Sequence, residues 1–182
     1  MDKYRETTVI GIFAGVVIVL QCISTFVNFG AFPITLTLVP IIVGGAVFGP
    51  KIGALLGTVF GIVVALMVVT GADPSGATML AIHPFITISV CIVKGALAGL
   101  FSALVYKALK DRNEKLAIIA AAAVAPITNT VTLFLVLIIF FESSFAVMIS
   151  ALMSINFLIE LLTNVLLAPG LLTLIHRWQK RA

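Results

Sequence analysis

Between residues 45 and 61 a glycine falls at every fourth position: Gly45, Gly49, Gly53, Gly57 and Gly61. On a helix that spacing gathers the glycines onto one face. In water each would weaken a helix by roughly 1 kcal/mol relative to alanine, so such a row argues against a soluble helix. In lipid, helices associate through packing rather than hydrophobic burial, and a face without side chains lets a neighbour approach closely. Pro50-Lys51 interrupts the row, which predicts two short helices meeting at a tight turn. An irregular, nearly uncharged segment precedes the row, and the combination predicts a small-molecule site beside a helix-packing surface.

Composition agrees with a lipid solvent. The 182 residues are 62% hydrophobic and 10% charged, with a mean hydropathy of +1.27, whereas soluble domains carry about 25% charged residues. The expectation is one all-α domain, 1–182, polytopic in the membrane. Spans need about 20 apolar residues, and six helices are predicted: 7–27, 34–48, 52–69, 79–109 with Pro84 near its start, 116–141 with Pro126 inside it, and 145–176. Residues 71–77 read as a polar, turn-rich loop and 107–115 as a solvated linker. Cys22 and Cys91 both lie in apolar runs and read as packing residues rather than a disulfide. The first apolar run has no small-residue cleavage site after it and reads as a membrane helix, not a leader.

Basic residues set the orientation. Lys3, Arg5, Lys51, Lys107, Lys110, Arg112, Lys115, Arg177, Lys180 and Arg181, all but one of the 11, fall on one side when six helices are drawn. The positive-inside rule puts that side, with both termini, in the cytoplasm. The outer loops are then 27–35, 70–82 and 141–147. Position thus accounts for the formal charge of +4, and no nucleic-acid partner is predicted.

The remaining basic residue, Lys94, and Glu160 lie near the middles of their helices. A charge at the bilayer centre costs at least about 2.5 kcal/mol and marks a pair or a site. Two readings stand: a Lys94–Glu160 ion pair that fixes packing, or groups facing a ligand cavity. Asn156, Glu160 and Asn164 share one helical face. Thr128, Asn129, Thr130 and Thr132 follow Pro126, which leaves a carbonyl without its usual donor beside a polar cavity. Interhelical polar packing is the alternative reading of these residues. Helices 1–3 carry almost no polar residues in mid-membrane, so helices 4–6 are expected to hold the cavity and helices 1–3 a packing face. Asn28, Phe32 and Thr35 in the first outer loop suit a lid. His83, before Pro84, is either a cap or a ligand contact. Candidate substrate-binding residues are therefore Asn28, Phe32, Thr35, His83, Lys94, Asn129, Asn156 and Glu160. Gly11/Gly15 and Gly95/Gly99 are GxxxG pairs, open to internal packing or to a subunit interface. Residues 44–51, GGAVFGPK, lack the lysine and hydroxyl placement of a phosphate-binding loop. With no HExxH, CxxC or GxSxG motif, neither catalysis nor a metal nor a cofactor is predicted.

The block from Phe32-Pro33-Ile34-Thr35-Leu36-Thr37 through Gly53 and Gly57, with six spans and inner termini, resembles the substrate-binding S components of energy-coupling factor (ECF) transporters. The resemblance covers essentially the whole chain. It implies a prokaryotic plasma-membrane importer of a water-soluble vitamin, completed by a transmembrane T component and two cytoplasmic ATPases. It also implies a T-component contact at Gly11 and Gly15, where the family has alanines at the same spacing, and a ligand cavity in the outer half. Residues 28–37 and the stretch Ala125-Pro126-Ile127-Thr128-Asn129-Thr130 are most similar to pantothenate-type members. Folate and riboflavin stay open as substrates, as does a stand-alone secondary carrier or small membrane enzyme.

Overall fold

The computed structural model describes the backbone of residues 3–26, 28–29, 32–33, 36–141 and 143–181, with side chains at 7–24, 36–141 and 157–177. These residues form seven helices: α1 (Lys3–Phe26), α2 (Leu38–Phe48), α3 (Pro50–Val69), α4 (Pro74–Ile82), α5 (Pro84–Leu109), α6 (Glu114–Phe140) and α7 (Ser143–Arg181). Two-residue strands β1 (Asn28–Phe29) and β2 (Phe32–Pro33) pair antiparallel between α1 and α2. The all-helical expectation holds apart from this hairpin. Five helices, α1, α3, α5, α6 and α7, are long and apolar enough to cross a membrane, and α2 is a shorter apolar helix.

The turn expected at Pro50-Lys51 is made one residue earlier. Gly49 has φ 95° and ψ 174°, a region open essentially to glycine alone. Its N–H donates to the Gly45 carbonyl, closing α2, and Pro50 starts α3 at the first helical position, where its missing N–H is harmless.

The expected helix over 79–109 is two helices. Asp73 accepts from the N–H groups of Ser75 and Gly76, with Pro74 in the first turn, so α4 begins inside the predicted loop 71–77. It stops at His83, whose φ of −137° and ψ of 83° are not helical, because the residue before a proline is pushed out of the α region. Apolar pattern alone runs straight through this break. Pro126 does not break α6.

The glycine row does what its spacing predicts, and it names its partner. A Cβ on Gly57 would run into the carbonyl of Gly95, and one on Gly95 into that of Gly57; Gly53 and Gly99 exclude each other in the same way. One turn further, a Cβ on Gly61 would lie 2.6 Å from the Ile92 Cα. α3 and α5 therefore run antiparallel in backbone contact. Gly45 of α2 joins them, its hypothetical Cβ 2.9 Å from that of Ala103 and 3.1 Å from the Gly53 Cα.

Around this pair, residues 38–45 of α2 are buried without interruption, enclosed by α1, α3, α5, α6 and α7. α1 attaches to α2 and α3 through one stripe, Phe13, Val17, Gln21 and Ser24, all buried.

Antiparallel pairing brings the start of α3 beside the end of α5. Lys51, Lys107 and Lys110, with Arg112 in the connection to α6 and Lys115 in its first turn, thus gather at one end of the bundle, called here the base. The charge asymmetry read from the sequence is a geometric fact for these residues.

Gly57→Val is expected to lower stability by about 1–3 kcal/mol or more, because both backbones would have to separate. Gly11, with nothing within 4 Å of a hypothetical Cβ, should accept alanine within about 0.5 kcal/mol. Thermal unfolding of the two variants in detergent checks the contrast.

Candidate functional site

The base supplies a level from which the site can be measured. The Tyr106 hydroxyl donates to Glu114 Oε1 at 3.0 Å, and His176 Nδ1 lies 3.4 Å from the same oxygen. This cluster ties α5, α6 and α7 together. At 1.5 Å per residue, Lys94 stands about 18 Å above Tyr106, Asn129 about 22 Å above Glu114, and Asn164 and Glu160 about 18 and 24 Å above His176. Four polar residues predicted from three helices thus share one layer of the bundle. α2, 11 residues long, ends at about that layer, some 17 Å above Gly49.

Burial in this layer is heavy. Asn164 is fully buried, Glu160 is 6% exposed and Asn129 8%. Asn164 Nδ2 donates to the Glu160 carbonyl at 2.7 Å, while Oδ1 of Asn164 and Oδ1 of Asn129 accept no hydrogen bond. A buried polar atom left unsatisfied costs about 1–3 kcal/mol; two at one level are what a site that awaits donor groups would show. Glu160, Asn164, Ala168 and Leu172 are buried at intervals of four along α7, which confirms the shared face. The side chain of Asn156, one step further along it, lies outside the described residues.

Among the described residues Lys94 takes part in no ion pair, and the pair that is present joins His176 to Glu114. α5 and α7 each pack against α2 and α6. Half-buried Lys94 shares a face of α5 with the buried residues Thr87, Cys91 and Ala98.

Helices 1–3 are less apolar inside than expected. The Thr37 hydroxyl donates to Gln21 Oε1 at 2.9 Å, and Gln21 Nε2 contacts Met67 Sδ at 3.8 Å. Gln21 and Thr37 are buried, and Thr37 makes no side-chain cap for α2 although it occupies the cap position. Ser24 and Thr25 follow Gln21 and Thr35 precedes Thr37, so nothing in either segment singles out the bonded residues. The bond ties α1 and α3 to the segment that enters α2.

Of the proposed lid residues, Asn28 and Phe32 belong to the hairpin, whose second strand lies against α7 and α1. Their side chains, and all of Thr35, lie outside the described residues. His83 is exposed at the break between α4 and α5, its ring edge-on to Phe141 at 5.3 Å; its carbonyl accepts from the Thr87 hydroxyl at 2.8 Å. Gly95 and Gly99 prove to be internal packing residues, whereas Gly11 and Gly15 face open space. A separate cavity of about 240 Å³ lies at the base, lined by residues including Gly49, Tyr106, Lys107 and Lys110, a full helix length from the outer loops. Among the described residues no group of three or more His, Cys, Asp or Glu side chains could hold a metal ion.

Residues 5–176 match the family model described as "ECF transporter, substrate-specific component". The chain is also 26% identical over 185 residues to the pantothenic acid transporter PanT of Lactococcus lactis subsp. cremoris (strain MG1363), covering 93% of each protein.

Thr37→Val should destabilise the protein by about 1–3 kcal/mol, because it withdraws a donor from a buried amide oxygen. Adding Gln21→Leu should recover part of that loss. Thermal unfolding of the two single variants and the double variant would read the coupling.

Proposed function

The chain belongs to the family of substrate-specific components of ECF transporters, and on that premise we propose that it captures pantothenate outside the cell for an ATP-driven importer. The carrying observation is the layer of Lys94, Asn129, Glu160 and Asn164 at the level where α2 ends. Pantothenate is a small monoanion with hydroxyl groups and an amide. In the proposed complex the Lys94 ammonium meets its carboxylate, while the open Oδ1 atoms of Asn129 and Asn164 accept from its hydroxyl or amide groups. Glu160, with Asn156 further along its face, completes the polar wall. The printed name of the Lactococcus relative adds support for this vitamin. Folate or riboflavin would call for stacking aromatics that this layer lacks.

In this reading the first outer loop, with Asn28, Phe32 and Thr35 as its ligand contacts, covers the layer from outside, and His83 stands at its rim. The chain crosses the plasma membrane six times, α2 making a half-length crossing. Both termini and the lysine-rich base face the cytoplasm, as the positive-inside rule requires. The T component docks on the lipid-facing side of α1, where Gly11 and Gly15 leave room for a close helix, and two cytoplasmic ATPases supply the energy.

Isothermal titration of the purified protein should show tight binding of pantothenate and none of riboflavin or folate. Lys94→Met should weaken pantothenate binding at least about tenfold, the loss of roughly 1.4 kcal/mol, without lowering the unfolding temperature. Unchanged affinity would remove the lysine from the site. Gly15→Trp should leave vitamin binding intact and abolish co-purification with the T component. In whole cells, a single cysteine at position 112 should react only with membrane-permeant reagents and one at position 72 with impermeant ones as well; the reverse pattern would overturn the orientation.

A further inference from the structure

The cavity at the base has no part in the vitamin site. Gly49 and Pro50, where α2 turns into α3, form one side of its 240 Å³, and Tyr106, Lys107 and Lys110, at the C-terminal end of α5, the other. Its wall is divided in kind: apolar groups and bare glycine backbone on the turn side, two ammonium groups where α5 ends. Lys107 and Lys110 are three residues apart and therefore neighbours on the helix surface. No carboxylate lines the cavity, and among the described residues neither lysine makes an ion pair. The nearby Glu114 is already engaged by Tyr106 and His176. At 240 Å³ the space is smaller than the roughly 300–1,000 Å³ of sites for drug-sized ligands.

What continues from the cavity identifies the ligand. On α5, Leu104 and Phe101 lie one and two turns above Lys107 at intervals of three, and they are 42% and 43% exposed. An apolar track thus runs up the lipid-facing surface from a cationic pocket at the helix end. A phosphate ester with hydrocarbon attached matches both parts, and a free phosphate matches only the first. We infer that this cavity binds the headgroup of an anionic phospholipid, with the phosphate at Lys107 and Lys110 and an acyl chain along Leu104 and Phe101. Its assignment to the inner leaflet rests on the orientation proposed above; the binding itself does not. The ordinary role of basic residues at a cytoplasmic helix end is general attraction to the anionic surface, worth about 1 kcal/mol per residue, and the test must separate the two.

The test is native mass spectrometry of the purified protein with phosphatidylglycerol or phosphatidylcholine of identical acyl chains. The wild type should retain phosphatidylglycerol in preference. Lys107→Gln/Lys110→Gln should lower that preference at least about tenfold. Arg112→Gln/Lys115→Gln, which removes the same charge from the same end of the bundle without touching the cavity, should change it less than about threefold. Equal losses in both double variants, or no loss in either, would overturn the proposal, and so would glycerol 3-phosphate competing as well as the intact lipid. So would a Lys107→Gln/Lys110→Gln protein that keeps its lipid but loses its transport partners, which would make the cavity a protein contact. These lysines are exposed and their replacement leaves the core untouched. Pantothenate titration on the same samples keeps the outcomes apart: a wild type that binds the vitamin but shows no lipid preference counts against the cavity alone, and lack of vitamin binding leaves the lipid result standing.

Discussion

Two backbones touch at the centre of this molecule, and the hydrocarbon solvent makes that contact decisive. Where the surroundings are as apolar as the side chains, helices gain little by hiding leucine from lipid; they gain by close packing. Gly53, Gly57 and Gly61 on α3 face Gly99, Gly95 and Cys91 on α5, each step up one helix matched by a step down the other. That register fixes the pair as antiparallel and sets their vertical offset. The gathering of lysines at the base and the placing of Lys94 a few turns above it follow from this alignment.

The second consequence concerns α2. Pinned to the glycine pair through Gly45 and turned back by Gly49, it is a buried rod too short for a bilayer of about 30 Å. A core helix of half length leaves the layer above it to be filled by other means. That layer is where Asn129, Glu160 and Asn164 are buried, and where two amide oxygens have no partner. The two levels differ in kind: dry, small-residue packing below and costly polar groups above. Native proteins leave few buried polar groups unsatisfied, so each one calls for a reason.

Much of this was legible in the sequence, because lipid imposes strong periodic signals. The glycine spacing announced a packing face, the basic residues an asymmetric bundle, and the i, i+4 series on α7 a polar stripe. What was not legible has definite causes. Apolar pattern carries no mark of the break at His83, since both sides of it are equally hydrophobic; only the restriction that Pro84 places on its predecessor reveals it. GxxxG spacing says that a helix can be approached closely, not by what, so Gly95/Gly99 and Gly11/Gly15 look alike in sequence and differ in the fold. Lys94 and Glu160 sit at similar depth, but similar depth does not make two charged groups a pair. The Gln21–Thr37 bond joins two residues that nothing in their own segments marks out from the polar residues beside them.

The register of α3 against α5 also determines where such a chain tolerates a change of length. One residue inserted within 53–61 or 91–99 would rotate the rest of that helix by about 100°, carrying side chains into the seam where only bare backbone fits. An insertion between Val69 and Pro84 rotates neither partner, because the two helices meet again regardless of the path between them. Within that stretch Gly76 and Met79 are buried, so the exposed residues between Val69 and Asp73 are the ground on which the connection can change length.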